Sequence, residues 1–177
     1  MANTSKDYTA EISRKNPACI LFLIDQSASM EDNFGGEASA ERKADGAAYA
    51  LNTLLNNLVI RCTKGNETRH YFDVGVIGYG ETVGPAFPGE LAGRDLVTVS
   101  ELPDNCRIEE REQDDRERTK IQIWVDPVAK NRTPMCQALR DARRILSDWI
   151  TTHEDSYPPI VINITDGEAN DGDPEKP

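Results

Sequence analysis

The sequence predicts an α/β fold built on a mostly parallel central sheet with an antiparallel edge strand. Two observations predict it. Short continuous apolar runs at 19–24, 71–79 and 160–165 read as strands, and two longer stretches of helical periodicity lie between them. The resulting order of strand, helix, strand, insertion, helix, strand calls for right-handed crossovers over a sheet.

Residues 1–16 are polar and aperiodic, a loose arm or a short preceding strand. The run at 19–24 has no polar alternation, as expected of a strand covered on both faces. Residues 30–38 contain Gly35-Gly36 and several acids and read as a loop. Ala44, Ala47, Ala48, Leu51, Leu54, Leu55 and Leu58 then fall on one helical face, with Ser39 as N-cap and Lys64-Gly65-Asn66 as the stop. The strand at 71–79 carries Gly75 and Gly78, which suggests close approach of a neighbouring segment.

Residues 80–120 are rich in glycine, proline and charge and form an insertion. The mixed-charge run 109–120 reads as a solvated loop. The alternating segment 121–125 is the best edge-strand candidate. Thr133-Pro134 opens the second helix, Thr133 as a possible cap and Pro134 at the first turn. Met135, Ala138, Leu139, Ala142, Ile145, Leu146 and Trp149 form its apolar face, and Tyr157, Pro158 and Pro159 end it. The last strand runs straight into Asp166-Gly167.

Acids outnumber Lys plus Arg by 31 to 20, and the net charge of −11 repels phosphate backbones and anionic lipid. Nucleic-acid and membrane-surface partners are therefore not expected. The longest apolar stretch, 18–24, falls far short of the roughly 20 residues of a membrane span. Cys19, Cys62, Cys106 and Cys136 form no CxxC pair, so free thiols in a cytoplasmic protein are expected. His70 and His153 stand far apart in sequence and read as surface residues, and Trp124 and Trp149 as packing. Asp171 and Asp173 read as solvated, because the acidic stretch 166–173 lacks the glycine position and terminal glutamate of a calcium loop.

Three polar loops lie where α/β sheets place ligands, beyond the carboxyl ends of strands or at the start of the following helix. The first places Asp25, Ser27 and Ser29 on alternate residues, so that an extended turn aims them at one point. The second offers Thr133 and the third Asp166. Two carboxylates and three hydroxyls form a hard oxygen set of the kind that suits Mg²⁺, with Mn²⁺ or Ca²⁺ as alternatives. An open coordination position on such an ion takes a partner's carboxylate.

The pattern Asp25-x-Ser27-x-Ser29 after an apolar strand resembles the first loop of the metal-ion-dependent adhesion site in von Willebrand factor A domains, in particular the intracellular bacterial type. Thr133-Pro134 resembles that family's second loop, and Thr165-Asp166-Gly167 its third. The resemblance covers about residues 17–170. It implies a Rossmann-like three-layer fold in one domain. Ser27, Ser29 and Thr133 would bind the metal directly, and Asp25 and Asp166 would act mainly through water. It also implies a protein-binding module that captures an acidic side chain and is not an enzyme. Family domains usually continue past the third loop, so the fold is expected to look truncated at the C-terminus. Self-association or a second chain would then cover the sheet edge at 160–165. Two other readings compete. In a Mg²⁺-dependent phosphatase or phosphotransferase, Asp25 would be the nucleophile, but Ser27 stands where a second acid is needed and no lysine follows in the third loop. In a scaffold, the metal would be structural.

Overall fold

The computed structural model describes residues 10–34, 41–112 and 118–176. The proposed cap Ser39 and the Gly35-Gly36 turn lie outside the described residues, as do 1–9 of the polar arm.

Strand β1 spans Ala18–Asp25 and is followed by helix α1, Lys43–Cys62. The stop at 64–66 is a tight hairpin of β2, Thr63–Lys64, and β3, Glu67–Thr68, which turns on Gly65 at φ 63°. Strand β4 spans Phe72–Tyr79, β5 Val83–Pro85 and β6 Val97–Thr98. A second hairpin follows, β7 at Arg107–Glu112 and β8 at Arg118–Ile123. Helix α2 spans Met135–Thr152 and β9 spans Ile160–Ile164.

The main sheet has the order β5–β4–β1–β9, with β6 also on β4. β1 is central and parallel to both neighbours, pairing Ala18 with Phe72 through Asp25 with Tyr79 on one side and Ile20 with Ile160 through Ile24 with Ile164 on the other. β5 and β6 run antiparallel to β4, so the sheet is mixed. Successive side chains of a strand alternate faces. Phe22 and Ile24 therefore enter a core with Leu51, Leu55 and Val59 of α1, while Cys19, Leu21 and Leu23 enter another with Ala138, Ala142 and Trp149 of α2. A helix thus covers each face, which is why the sequence of β1 is apolar throughout.

Gly75 supplies the close approach its position suggests. A Cβ there would collide with the Asp95 carbonyl and the Leu21 side chain. Among the described residues β9 is one edge of the sheet, and its Ile160, Val161 and Ile162 are exposed.

Three expectations change. Leu54 is 45% exposed, and the buried face of α1 contains Asn52 in its place. The run 109–120 is largely hairpin rather than loop, although 113–117 lie outside the described residues. The segment 121–125 is not an edge of the main sheet. Among the described residues β8 pairs only with β7, and the chain then turns inward to bury Trp124 and Val125. Asn52 explains this course. Its Oδ1 accepts from the N–H groups of Trp124 (2.8 Å) and Val125 (3.1 Å), and its Nδ2 donates to the carbonyls of Val125 (2.8 Å) and Ala48 (2.9 Å). One side chain thus satisfies backbone that a strand partner would otherwise satisfy.

The connector before β7 is fixed by a reciprocal cap between Thr98 and Glu101, which also takes a two-pronged bond from Arg94 at 2.6 and 3.0 Å. The Arg94 bond, with help from Thr98, pulls the Glu101 carboxyl down to about 2 from 4.5. A depressed carboxyl stabilises the fold fully above its unfolded value and loses that contribution as pH falls through the folded one. Glu101→Gln should therefore flatten the acid-unfolding profile between about pH 4.5 and 2, as followed by circular dichroism.

All four cysteines are unpaired, Cys19, Cys62 and Cys136 being buried. Among the described residues no helix is long and apolar enough to cross a membrane.

Candidate functional site

The parallel register places Asp25 at the end of β1, beside Tyr79 of β4 and, one step past the Ile24–Ile164 pair, level with Thr165 beyond β9. The first and third loops therefore leave the sheet side by side. The second loop is pinned to the first by two backbone bonds, Lys130 N–H to the Gln26 carbonyl (2.6 Å) and Ala28 N–H to the Asn131 carbonyl (2.9 Å). Asn131 adopts a left-handed φ of 61°, which asparagine tolerates better than most residues. Gly80 is needed where these loops meet. A Cβ there would lie 2.5 Å from the Gln26 carbonyl and 3.0 Å from that of Lys130, both backbone atoms that have little room to move.

Asp25 is 1% exposed. Its Oδ1 accepts from the Ser27 N–H at 2.8 Å, which folds the turn back on itself, and its Oδ2 accepts from the Thr165 hydroxyl at 2.8 Å. Ser27 is equally buried, and its hydroxyl lies 3.0 Å from that of Ser29. Ser29 Oγ in turn donates to Asp166 Oδ1 at 3.0 Å. Four of the five expected residues thus form one continuous hydrogen-bonded chain across the first and third loops. Thr133, 9% exposed, is not part of that chain, and among the described residues its hydroxyl makes no hydrogen bond to the other four. Its carbonyl accepts from Met135 N–H (2.8 Å) and from Asn170 N–H (3.1 Å), which ties the second loop to the chain after the third.

Beneath the loops, the Tyr79 hydroxyl donates to Asn163 Oδ1 at 2.8 Å. Burial, followed by the nearby Asp25 carboxylate, pushes its phenol up to about 12, so it stays a neutral hydrogen-bonding group.

No family model, curated protein or solved structure matches the chain.

Several residues around the site could not be read from the sequence. Lys43, the first residue of α1, reaches Asp166 Oδ2 at 2.6 Å and Asp32 at 3.6 Å. Partial burial pushes the Asp166 carboxyl upward, but the hydrogen bonds from Lys43 and Ser29 outweigh it and leave the group below its ordinary value. Asp171, expected to be solvated, accepts from the Cys136 N–H (2.9 Å) and the Gln137 N–H (2.8 Å). It therefore caps α2 in place of Thr133, a favourable position for a carboxylate at a helix N-terminus. Thr165 was legible only as part of the third-loop pattern; its contact shows that it holds Asp25.

The donors assembled here are oxygens alone, which suits a hard divalent cation. Among the described residues no three His, Cys, Asp or Glu side chains are placed to share a metal. That does not bear on a set with only two carboxylates, in which hydroxyls supply the remaining donors.

Proposed function

We propose that this chain is a von Willebrand factor A-like binding module whose three loops hold one Mg²⁺, or Mn²⁺ or Ca²⁺, and present it to an acidic side chain of a partner protein. Ser27, Ser29 and Thr133 would be direct ligands. Asp25 and Asp166 would orient hydroxyls and metal-bound water. The bound ion would supply the Lewis-acidic position that takes the partner's carboxylate. The observation that carries this reading is the hydrogen-bonded chain from Ser27 through Ser29 to Asp166, which draws oxygen donors from separate loops to one place. Asp25 supports it as the buried group that sets the turn.

The chain's net charge of −11 opposes an acidic partner unless a cation intervenes, so capture should be lost in chelator. Supporting the turn and supplying ligands are both worth large factors in metal affinity. Ser27→Ala and Asp166→Ala should each weaken Mn²⁺ binding by about 100-fold, read by electron paramagnetic resonance of the free ion. Unchanged titrations in both variants would sink the reading.

A phosphotransfer enzyme gains one supporting feature, because Lys43 supplies the positive group that the third loop lacks. It is the weaker reading. Both oxygens of Asp25 are engaged and its side chain is buried, which disfavours that carboxylate as a nucleophile toward an incoming phosphate.

A further inference from the structure

Lys43 is not among the residues that the metal-site reading requires, yet its ammonium sits on one of them, Asp166, which would act on the ion through water. The Asp166 carboxylate has two oxygens. Oδ1 receives the Ser29 hydroxyl at 3.0 Å, and Oδ2 receives Lys43 Nζ at 2.6 Å. The ion pair is partly shielded, with the two side chains 29% and 16% exposed, so water and salt screen it less than an open surface pair. The ammonium is also tethered. It hangs from the first turn of α1, directly beside the loops, and acts at a local concentration that a free ion must overcome.

A second seat is within reach. Asp32 Oδ2 lies 3.6 Å from the same nitrogen and its side chain is 72% exposed. Lys43 therefore has somewhere to go when it leaves Asp166.

We infer that Lys43 is a built-in competitor cation. It holds Asp166, and a divalent ion gains that carboxylate only by displacing the ammonium toward Asp32. The inference rests on the metal-site reading and adds regulation to it. Metal affinity is set below what the oxygen donors alone would give, so that loading depends on the concentration of free ion. Only electrostatics and hydrogen bonds change in the exchange, and no covalent step is involved.

The test is a Mn²⁺ titration of the full chain, again read by electron paramagnetic resonance, on the parent, Lys43→Met and Lys43→Arg. Lys43 lies at a partly exposed helix start, so both variants should keep the parent's circular dichroism spectrum. Methionine keeps the stem and removes the charge. It should tighten Mn²⁺ binding about tenfold, the factor expected for losing one competing hydrogen bond between charged groups. Arginine keeps the charge and should stay near the parent. Binding by K43M that equals or falls below the parent's overturns the inference while leaving the metal site in place. Tightening by K43R as great as by K43M also overturns it, because charge would then not be the cause. Absence of Mn²⁺ binding in all three chains removes the metal-site reading and this inference together.

Discussion

Replacing Asn52 with leucine should lower the stability of the fold by about 4 kcal/mol, because each buried polar group left without a partner costs about 1–3 kcal/mol. Leucine has the same side-chain branching, is apolar and suits a helix, so propensity and burial alone would predict a neutral or favourable change. The hydrogen bonds decide otherwise. The N–H groups of Trp124 and Val125 and the carbonyl of Val125 all turn to Asn52, and Trp124 and Val125 are each 1% exposed. Water cannot readily replace the lost partner. The Ala48 carbonyl is the least affected, since it also lies within the helix ladder. Guanidinium unfolding should show a large drop in midpoint for Asn52→Leu. Asn57→Leu, on the exposed face of the same helix, should change little. A difference below about 1 kcal/mol between the two would show that Asn52 does not hold the 124–125 segment.

The same residue shows where reading from sequence stops. β1 was legible because cover on both faces leaves a continuous apolar run, and α2 because its one buried face repeats at helical spacing. An asparagine within the apolar face of α1 carries no such signal, for the backbone it holds at 124–125 lies more than seventy positions away. The segment 121–125 misled for a related reason. Apolar alternation reports which side chains are buried, not what pairs with the backbone, and here Asn52 pairs with it instead of a strand. In the candidate site, Asp25, Ser27 and Ser29 were legible because they are local to one turn, and Thr133 and Asp166 because each marks an element boundary. Lys43 and Asp171 were not. Each acts across space on another part of the chain, Lys43 on the third loop and Asp171 on the first turn of α2, and in sequence either one looks like ordinary solvated charge. The two histidines failed in the same way. Read as separate surface residues, they converge on one carboxylate.

That carboxylate is Asp73, at the pole of the sheet opposite the loops, and its removal should produce the second large loss. Asp73 is the second residue of β4 and pairs in register with Cys19. Its side chain is only 12% exposed. Oδ2 accepts from the Trp149 indole N–H at 2.8 Å, and Oδ1 lies 2.6 Å from His70 Nε2. His153 stacks on Trp149 with ring centres 4.2 Å apart, and its Nε2 lies 3.9 Å from Asp73. The carboxylate thus clamps the last turns of α2 to the sheet. Asp73→Ala strands the buried indole N–H and removes a bond from His70, so it should cost about 3 kcal/mol, within the range for hydrogen bonds to charged groups. Asp73→Asn retains an acceptor for the indole and should cost distinctly less. A thiol readout makes the test specific. Burial, followed by the Asp73 charge, pushes Cys19 up to about 12, so Asp73→Asn should bring its thiol pKa down while leaving it buried. Equal losses in the alanine and asparagine variants would mean that the indole bond contributes nothing. The Mn²⁺ titration should be untouched in Asp73→Asn, because Asp73 acts at the pole of the sheet opposite the three loops.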